Sequence, residues 1–404
     1  MNPSSTGWIP KFLNGFDIEL LIKNFDDEVV FYQRLKNTGF IYGVSVSTLL
    51  ESPVSDLDLT NEELTKVNLF HSLLFSYYQK YGQVEQEAFL DTVITFYKAI
   101  ERGKRSFFQK LSFTSSPSDN LEAILSARLQ EANTLIKKDT ASLLTYALLY
   151  VDVLAFQHYL RDPKSLKNYL EALEHLLIEC SVLALKSKQE KNKYDHLVIE
   201  MVESSSEFMM NAGPTTSVSA LFTSEMSLLE KQYVLDICCL AVWDDRQLDD
   251  SEYDFLQKLT TELEFEQSYL EDCIKTLKDF SVVNATKIKL FEYTHPVRHF
   301  YKQSSNTVRL LILRNQKRLL KELNESGELL VLLSQSTLRE LTSEEKTKVK
   351  NQLLDIFKTI PSLTIFMLPG GAILLPLFVK LIPKLLPSAF RENRIDTKEK
   401  KTKK

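Results

Sequence analysis

Five carboxylates crowd into the stretch DDRQLDDSEY, at Asp244, Asp245, Asp249, Asp250 and Glu252. Oxygen donors at that density suit a hard divalent cation. The stretch is not an EF-hand loop: counted from Asp245, the position that requires Gly is Asp250 and the third position is Gln247. Asp249 and Glu252 also have the spacing of a capping box, and acidic side chains favour the first turn of a helix. The loop therefore reads as a helix cap or as a weak cation site. A second group, Glu292, His295 and His299, lies at helical spacing, and two imidazoles one helical turn apart can share a metal. Pro296 gives the same residues a plain structural reading, as the first turn of a helix. Cys180, Cys238, Cys239 and Cys273 have neither metal-ligand nor disulfide-framework spacing, and Cys238-Cys239 sits in an apolar run as core. No nucleophile–base pair, phosphate loop or HExxH motif can be read, so a non-enzymatic protein with no cofactor is expected.

The elements that must position these residues are helices. Only 10 Gly and 12 Pro occur in 404 residues, and short alternating strands are missing from the pattern. The expected fold class is all-α, with multi-helical bundle domains and a C-terminal segment broken by Pro and Gly. A helix is expected over 16–35, ending near Thr38-Gly39, and then a turn or short extended piece over 40–50. Thr60 and Glu63 form a capping box for a helix that Gly82 ends, and 84–102 forms its partner. Phe70, Phe75, Tyr77, Tyr78, Phe89, Phe96, Tyr97, Phe107 and Phe108 make an aromatic stripe that reads as core. After a linker at 112–120 come helices over 121–137 and 140–160. The apolar run 143–156 carries Asp152, which favours a buried bundle helix over a membrane span. Residues 166–186 form another helix, followed by the charged KSKQEKNKYDH as a solvated turn. The connector 211–219 is a domain boundary, and amphipathic helices follow over 228–243, 251–263 and 266–280. A long helix over 306–341 is basic in its first half through Arg309, Arg314, Lys317, Arg318 and Lys321, and Gly327 interrupts it. Thr342 and Glu345 cap the next helix. The regions are thus 1–110, 111–215, 220–282, 283–360, 361–390 and 391–404.

Residues 360–379 contain no charged side chain. A single helix of that length spans about 30 Å, the thickness of a bilayer's hydrocarbon core. Pro369, Pro376 and Pro383 recur on nearly one helix face, and each frees the carbonyl four residues before it. In lipid such carbonyls need partners. Pro369-Gly370-Gly371 predicts a break. The N-terminal MNPSSTGWIPKF lacks the basic and apolar regions of a signal peptide, so the bulk of the chain is expected in the cytoplasm. Residues 391–404 carry seven basic and three acidic side chains, a net of +4 in a chain of net −5. The positive-inside rule puts that tail on the cytoplasmic side as well. A re-entrant hairpin meets both demands, with Lys380 and Lys384 snorkelling to the interface. The alternatives are a single span that exports the tail and a segment buried within the protein's own helices. The expected partners are the lipid bilayer, anionic headgroups at the basic tail, an unidentified protein and further copies of the chain. Overall acidity excludes a broad nucleic-acid footprint.

Pro361, the apolar run, Leu368-Pro369, Leu374-Leu375-Pro376, Lys380, Pro383 and Leu386-Pro387-Ser388-Ala389-Phe390 resemble the membrane signature of the Letm family. Leu341-Thr342-Ser343-Glu344-Glu345 and Asp355-Ile356-Phe357-Lys358 resemble the approach helix of that family. The resemblance implies a membrane protein of a family linked to proton-coupled cation exchange and ribosome binding. The layout is similar to bacterial relatives described as Letm-related biofilm-associated proteins, which implies a bacterial cytoplasmic-membrane location. The family pattern has an acidic residue in the membrane segment where this chain has Ala372. Transport needs a titratable or coordinating group there. A membrane-attached interaction or sensing component is therefore expected ahead of a Letm-type cation/proton exchanger working as an oligomer. Around the acidic loop, Leu248 and Glu252 resemble the repeat of tellurite-resistance TerB-like helical domains, with Arg246 where that pattern has Gly. In that family such loops are considered cation sites.

Overall fold

Where helices start in this chain is set by side chains that satisfy the free N–H groups of a first turn. Reciprocal capping boxes stand at Thr60/Glu63, Ser227/Glu230, Asp249/Glu252 and Thr342/Glu345. The computed structural model describes residues 2–15, 25, 27–50, 59–100, 116–134, 147–191, 193–210, 226–243, 248–284, 301, 305, 308–309, 311–360, 363 and 374–387, with backbone alone at 130–134 and 202–210. Among the described residues every regular element is a helix. The chain divides into two units, Met1–Glu190 with Val218–Phe300, and Lys191–Ser217 with Tyr301–Lys404.

The first unit begins with α1 (Trp8–Gly15), α2 (Glu28–Asn37), α3 (Asn61–Tyr81), α4 (Gln86–Ala99), α5 (Pro117–Thr134), α6 (Tyr150–Arg161) and α7 (Leu166–Ser187). The chain then forms α8 (Lys193–Met210) of the second unit and returns to the first for α9 (Leu228–Val242), α10 (Asp250–Glu262) and α11 (Gln267–Val283). The sequence pattern suggests an amphipathic α9, yet from Leu229 to Val242 only Lys231 is not buried. The reason is position: α9 packs against α2, α7, α10 and α11, so no face is left for water.

Most of the aromatic stripe is core, with Tyr78 half-buried at its edge. Phe31 stacks on Phe75 at 4.0 Å, and Phe70 meets Trp8, Phe12 and Phe89 edge to face. Phe107 and Phe108 lie outside the described residues. In the apolar run of α6, Leu149 through Phe156 are buried. Asp152 is fully buried and takes both arms of a guanidinium, Arg128 Nε at 2.7 Å and Nη2 at 3.1 Å. A charged residue in an apolar run is thus explained by a partner on α5. The helix expected over 16–35 is helical from Glu28 onward but does not continue back through Asp27. Asp27 is extended and accepts a hydrogen bond from the Val30 N–H, so α2 starts at Glu28; residues 16–24 lie outside the described residues. Gly39 follows α2 with φ +86°, and a Cβ there would meet the Val44 carbonyl oxygen at 2.0 Å. Only glycine fits that turn.

The second unit adds α12 (Gln316–Glu325), α13 (Gly327–Gln335), α14 (Ser343–Thr359) and α15 (Leu375–Leu385) to α8. The expected interruption at Gly327 is the junction of α12 and α13, where Ser326 leaves helical geometry. The opening of α8 is a correction to the solvated turn expected there. Charged residues at its N-terminus hide an apolar face carrying Val198 and Met201, both buried. That face is needed because α8 packs against α14 and α15.

Candidate functional site

The described part of the C-terminal apolar segment starts where α14 stops. Ile360 closes α14 in an extended conformation, and Leu363 and Leu374 are both buried in the second unit. Pro361, Pro369, Gly370 and Gly371 lie outside the described residues. Pro376 sits in the first turn of α15, where its missing N–H costs nothing, and Pro383 lies inside the helix. The helix closes one turn on, with the Leu386 N–H donating to the Ile382 carbonyl at 3.0 Å. Leu375, Leu377, Phe378, Val379 and Ile382 are buried. Phe378 meets Phe357 of α14 edge-on at 5.0 Å, and α15 packs on α8 and α13. Lys380 and Lys384 are exposed, as is Pro387, and the Lys380 ammonium donates to Glu200 of α8 at 3.2 Å. Among the described residues no helix is long and apolar enough to cross a membrane. One face of α15 is covered by the unit's own helices, while Lys380, Lys384 and Pro387 stay exposed.

The approach helix α14 is held at its start by more than its cap. Arg339 donates to both oxygens of Glu345, at 2.6 and 2.8 Å. That guanidinium, and then the Thr342 N–H, hold the Glu345 carboxyl down to about 2.

In the acidic loop, Asp244 and Asp245 lie outside the described residues. Asp249 accepts from the Glu252 N–H at 2.8 Å and from the Gln189 N–H at 2.9 Å. Glu252 returns the bond by accepting from the Asp249 N–H at 2.8 Å. Burial by itself would raise the Asp249 pKa, but these N–H groups outweigh it and hold the carboxyl below its usual range. Asp250 opens α10 without a partner role in the box. The structure therefore brings Asp249 and Glu252 together as a cap. His295 and His299 lie outside the described residues. Among the described residues no group of three or more His, Cys, Asp or Glu side chains is placed to hold a metal.

Sequence reasoning missed a buried polar cluster in the first unit. Lys36 of α2 donates to Asp236 of α9 at 2.5 Å, and both side chains are almost wholly out of water. Tyr32 donates to the other Asp236 oxygen at 2.8 Å, and the Lys36 ammonium lies 3.4 Å from the Cys273 sulfur on α11. Burial alone would drive the Lys36 pKa down, but the Asp236 carboxylate wins and leaves it above the ordinary lysine value. Burial, followed by the Asp236 charge, pushes the Cys273 thiol up to about 12, keeping it protonated beside the ion pair. The cluster ties α2, α9 and α11 together. Its one sequence signal was a lysine and an aspartate in otherwise apolar helical faces, 200 residues apart.

Residues 341–404, from the end of the α13–α14 connection through α15 and the basic tail, match the family model described as LETM1-like, RBD. The match supports the Letm relation carried by the proline spacing, over part of the chain. It does not reach residues 220–282, so the TerB-like resemblance rests on the loop pattern alone, as does the biofilm-associated one on layout. No curated protein and no solved structure matches the chain.

Proposed function

We propose that the protein is a non-enzymatic, membrane-attached helical protein that holds the cytoplasmic membrane through the uncharged stretch 364–373, as an interaction or sensing component. One observation carries this reading. Leu363 and Leu374 are both buried in the same unit, and the ten residues between them, TIFMLPGGAI, are uncharged. Ten residues whose two flanks are held in one unit can reach at most roughly 17 Å from it, well short of a bilayer core of about 30 Å, so the proposed contact is with one leaflet. The family match over 341–404 supports a membrane context, and the basic tail would stay on the same side, near anionic headgroups.

Carbonate-washed membranes test it. The full chain should stay with the membrane fraction, and Phe366→Asp with Ile373→Asp should release it. Equal retention of both proteins would sink the proposal. The same family match favours a second reading, Letm-type cation/proton exchange by an oligomer. Proteoliposomes separate the two: proton-linked potassium or calcium flux would establish exchange, and its absence in membrane-retained protein leaves attachment.

A further inference from the structure

We infer that the outward face of the helical stretch 311–325 is a docking surface for anionic phospholipid headgroups. The backbone there is helical across Asn315, whose N–H donates to the Leu311 carbonyl at 3.2 Å and whose carbonyl accepts from the Leu319 N–H at 2.9 Å. Ile312, Leu319 and Leu323 are buried on one side. The opposite side, at helical spacing, presents Arg314, Lys317 and Lys321, flanked by Arg318, with one acidic residue, Glu325, a turn beyond Lys321; these four cations are exposed, as is Arg309 ahead of the stretch. Leu313 is 41 % exposed among them. None of the second unit's pairs Arg339–Glu345, Lys348–Glu328, Lys358–Asp355 and Lys380–Glu200 uses these five cations. Glu322, the acidic residue on the same helix nearest the core side, is turned toward α14, where it accepts from the Thr359 hydroxyl at 3.4 Å.

A concentrated positive face on a protein of net charge −5 is selective. It attracts a dense anionic surface while the remainder of the molecule is repelled, which fits a lipid leaflet rich in acidic headgroups. An exposed leucine among the bases adds an apolar contact at headgroup depth, as in helices that lie in the interface plane. This deepens the membrane reading above by naming the lipid class, and it rests on that reading only for its location.

The test is sedimentation of the full chain with vesicles of phosphatidylcholine alone and of phosphatidylcholine with phosphatidylglycerol. The wild-type chain should bind the anionic vesicles more tightly, and the gain should fade at high salt. The variant Arg314→Gln/Lys317→Gln/Lys321→Gln should lose about 100-fold in partitioning onto anionic vesicles, at roughly five-fold per cation. Its binding to neutral vesicles should not change. A control with the same charge change at exposed positions of the first unit, Lys98→Gln/Lys164→Gln/Lys167→Gln, should lose little. Circular dichroism checks that both variants fold. Equal losses in the two variants, or no dependence on phosphatidylglycerol, would overturn the inference. So would retention of the wild-type chain on poly-uridylate in preference to anionic vesicles. Failure of the Phe366→Asp/Ile373→Asp test with the phosphatidylglycerol dependence intact would remove the contact through 364–373 and keep this surface.

Discussion

The two units place their ion pairs differently. In the first, Lys36–Asp236 and Arg128–Asp152 are sunk into a core of aromatic rings, and each carboxylate is also bonded by a tyrosine, Tyr32 or Tyr97. In the second, the core is leucine-rich and its ion pairs lie at the surface; both members of Lys348–Glu328 are more than half exposed. Burying an ion pair costs desolvation, and the pair is stable only while both partners are present. Surface pairs carry no such hazard and contribute little. The difference teaches that the first unit uses buried ion pairs to fix which helices meet, whereas the second keeps the pairs named above near the surface and buries the Asp195 side chain at the start of α8.

The largest expected effect comes from splitting the buried pair. Asp236→Ala should cost about 3–5 kcal/mol in urea unfolding, because it strands the Lys36 ammonium without water. The double replacement Lys36→Met/Asp236→Leu should recover most of that loss; if it does not, the pair is more than a mutual neutralisation. Next, Phe378→Ala in the second unit should cost about 3 kcal/mol through the cavity it leaves against Phe357. A near-zero change would mean that α15 does not pack as described, and it would break the contrast between the units.

Acidity sharpens the contrast further. His71 lies wholly inside the first unit, and burial pushes its pKa from 6.5 down to about 3. Between those values the unfolded chain binds a proton that the folded chain refuses, so stability rises with pH. The contribution is complete above about pH 6.5 and is lost as pH falls toward about 3. Wild type should therefore show an extra slope of about 1.4 kcal/mol per pH unit relative to His71→Asn, read from unfolding midpoints at a series of pH values. Parallel curves would refute it. The smallest effect is expected at the surface of the second unit, where Lys348→Ala should leave the unfolding midpoint unmoved. A clear drop there would mean that exposed pairs in this unit act as a network.

Much of the local structure was legible because it is encoded by neighbours. Thr60 with Glu63, Asp249 with Glu252 and Thr342 with Glu345 announce helix starts through hydrogen bonds three residues long, and Gly82 announces a stop through its left-handed φ of +69°. The Pro/Leu spacing of the C-terminal segment was equally visible, and the family match falls on it. The misses have a common cause. Asp27 interrupts an apolar periodicity with a cap, and the charged start of α8 masks a helix whose apolar face is needed only because α14 and α15 lie against it.

By itself, the sequence determined that the chain is helical, where several helices begin, and that one uncharged Pro/Gly stretch near residue 370 stands apart from the rest. Those properties depend on propensity, capping and hydropathy over a few residues. The tertiary structure alone decided that Lys36 answers Asp236, that α9 has no wet face, and that Leu363 and Leu374 are anchored in the same unit. Each of these joins residues distant along the chain, and their energy appears only once packing has removed the water between them.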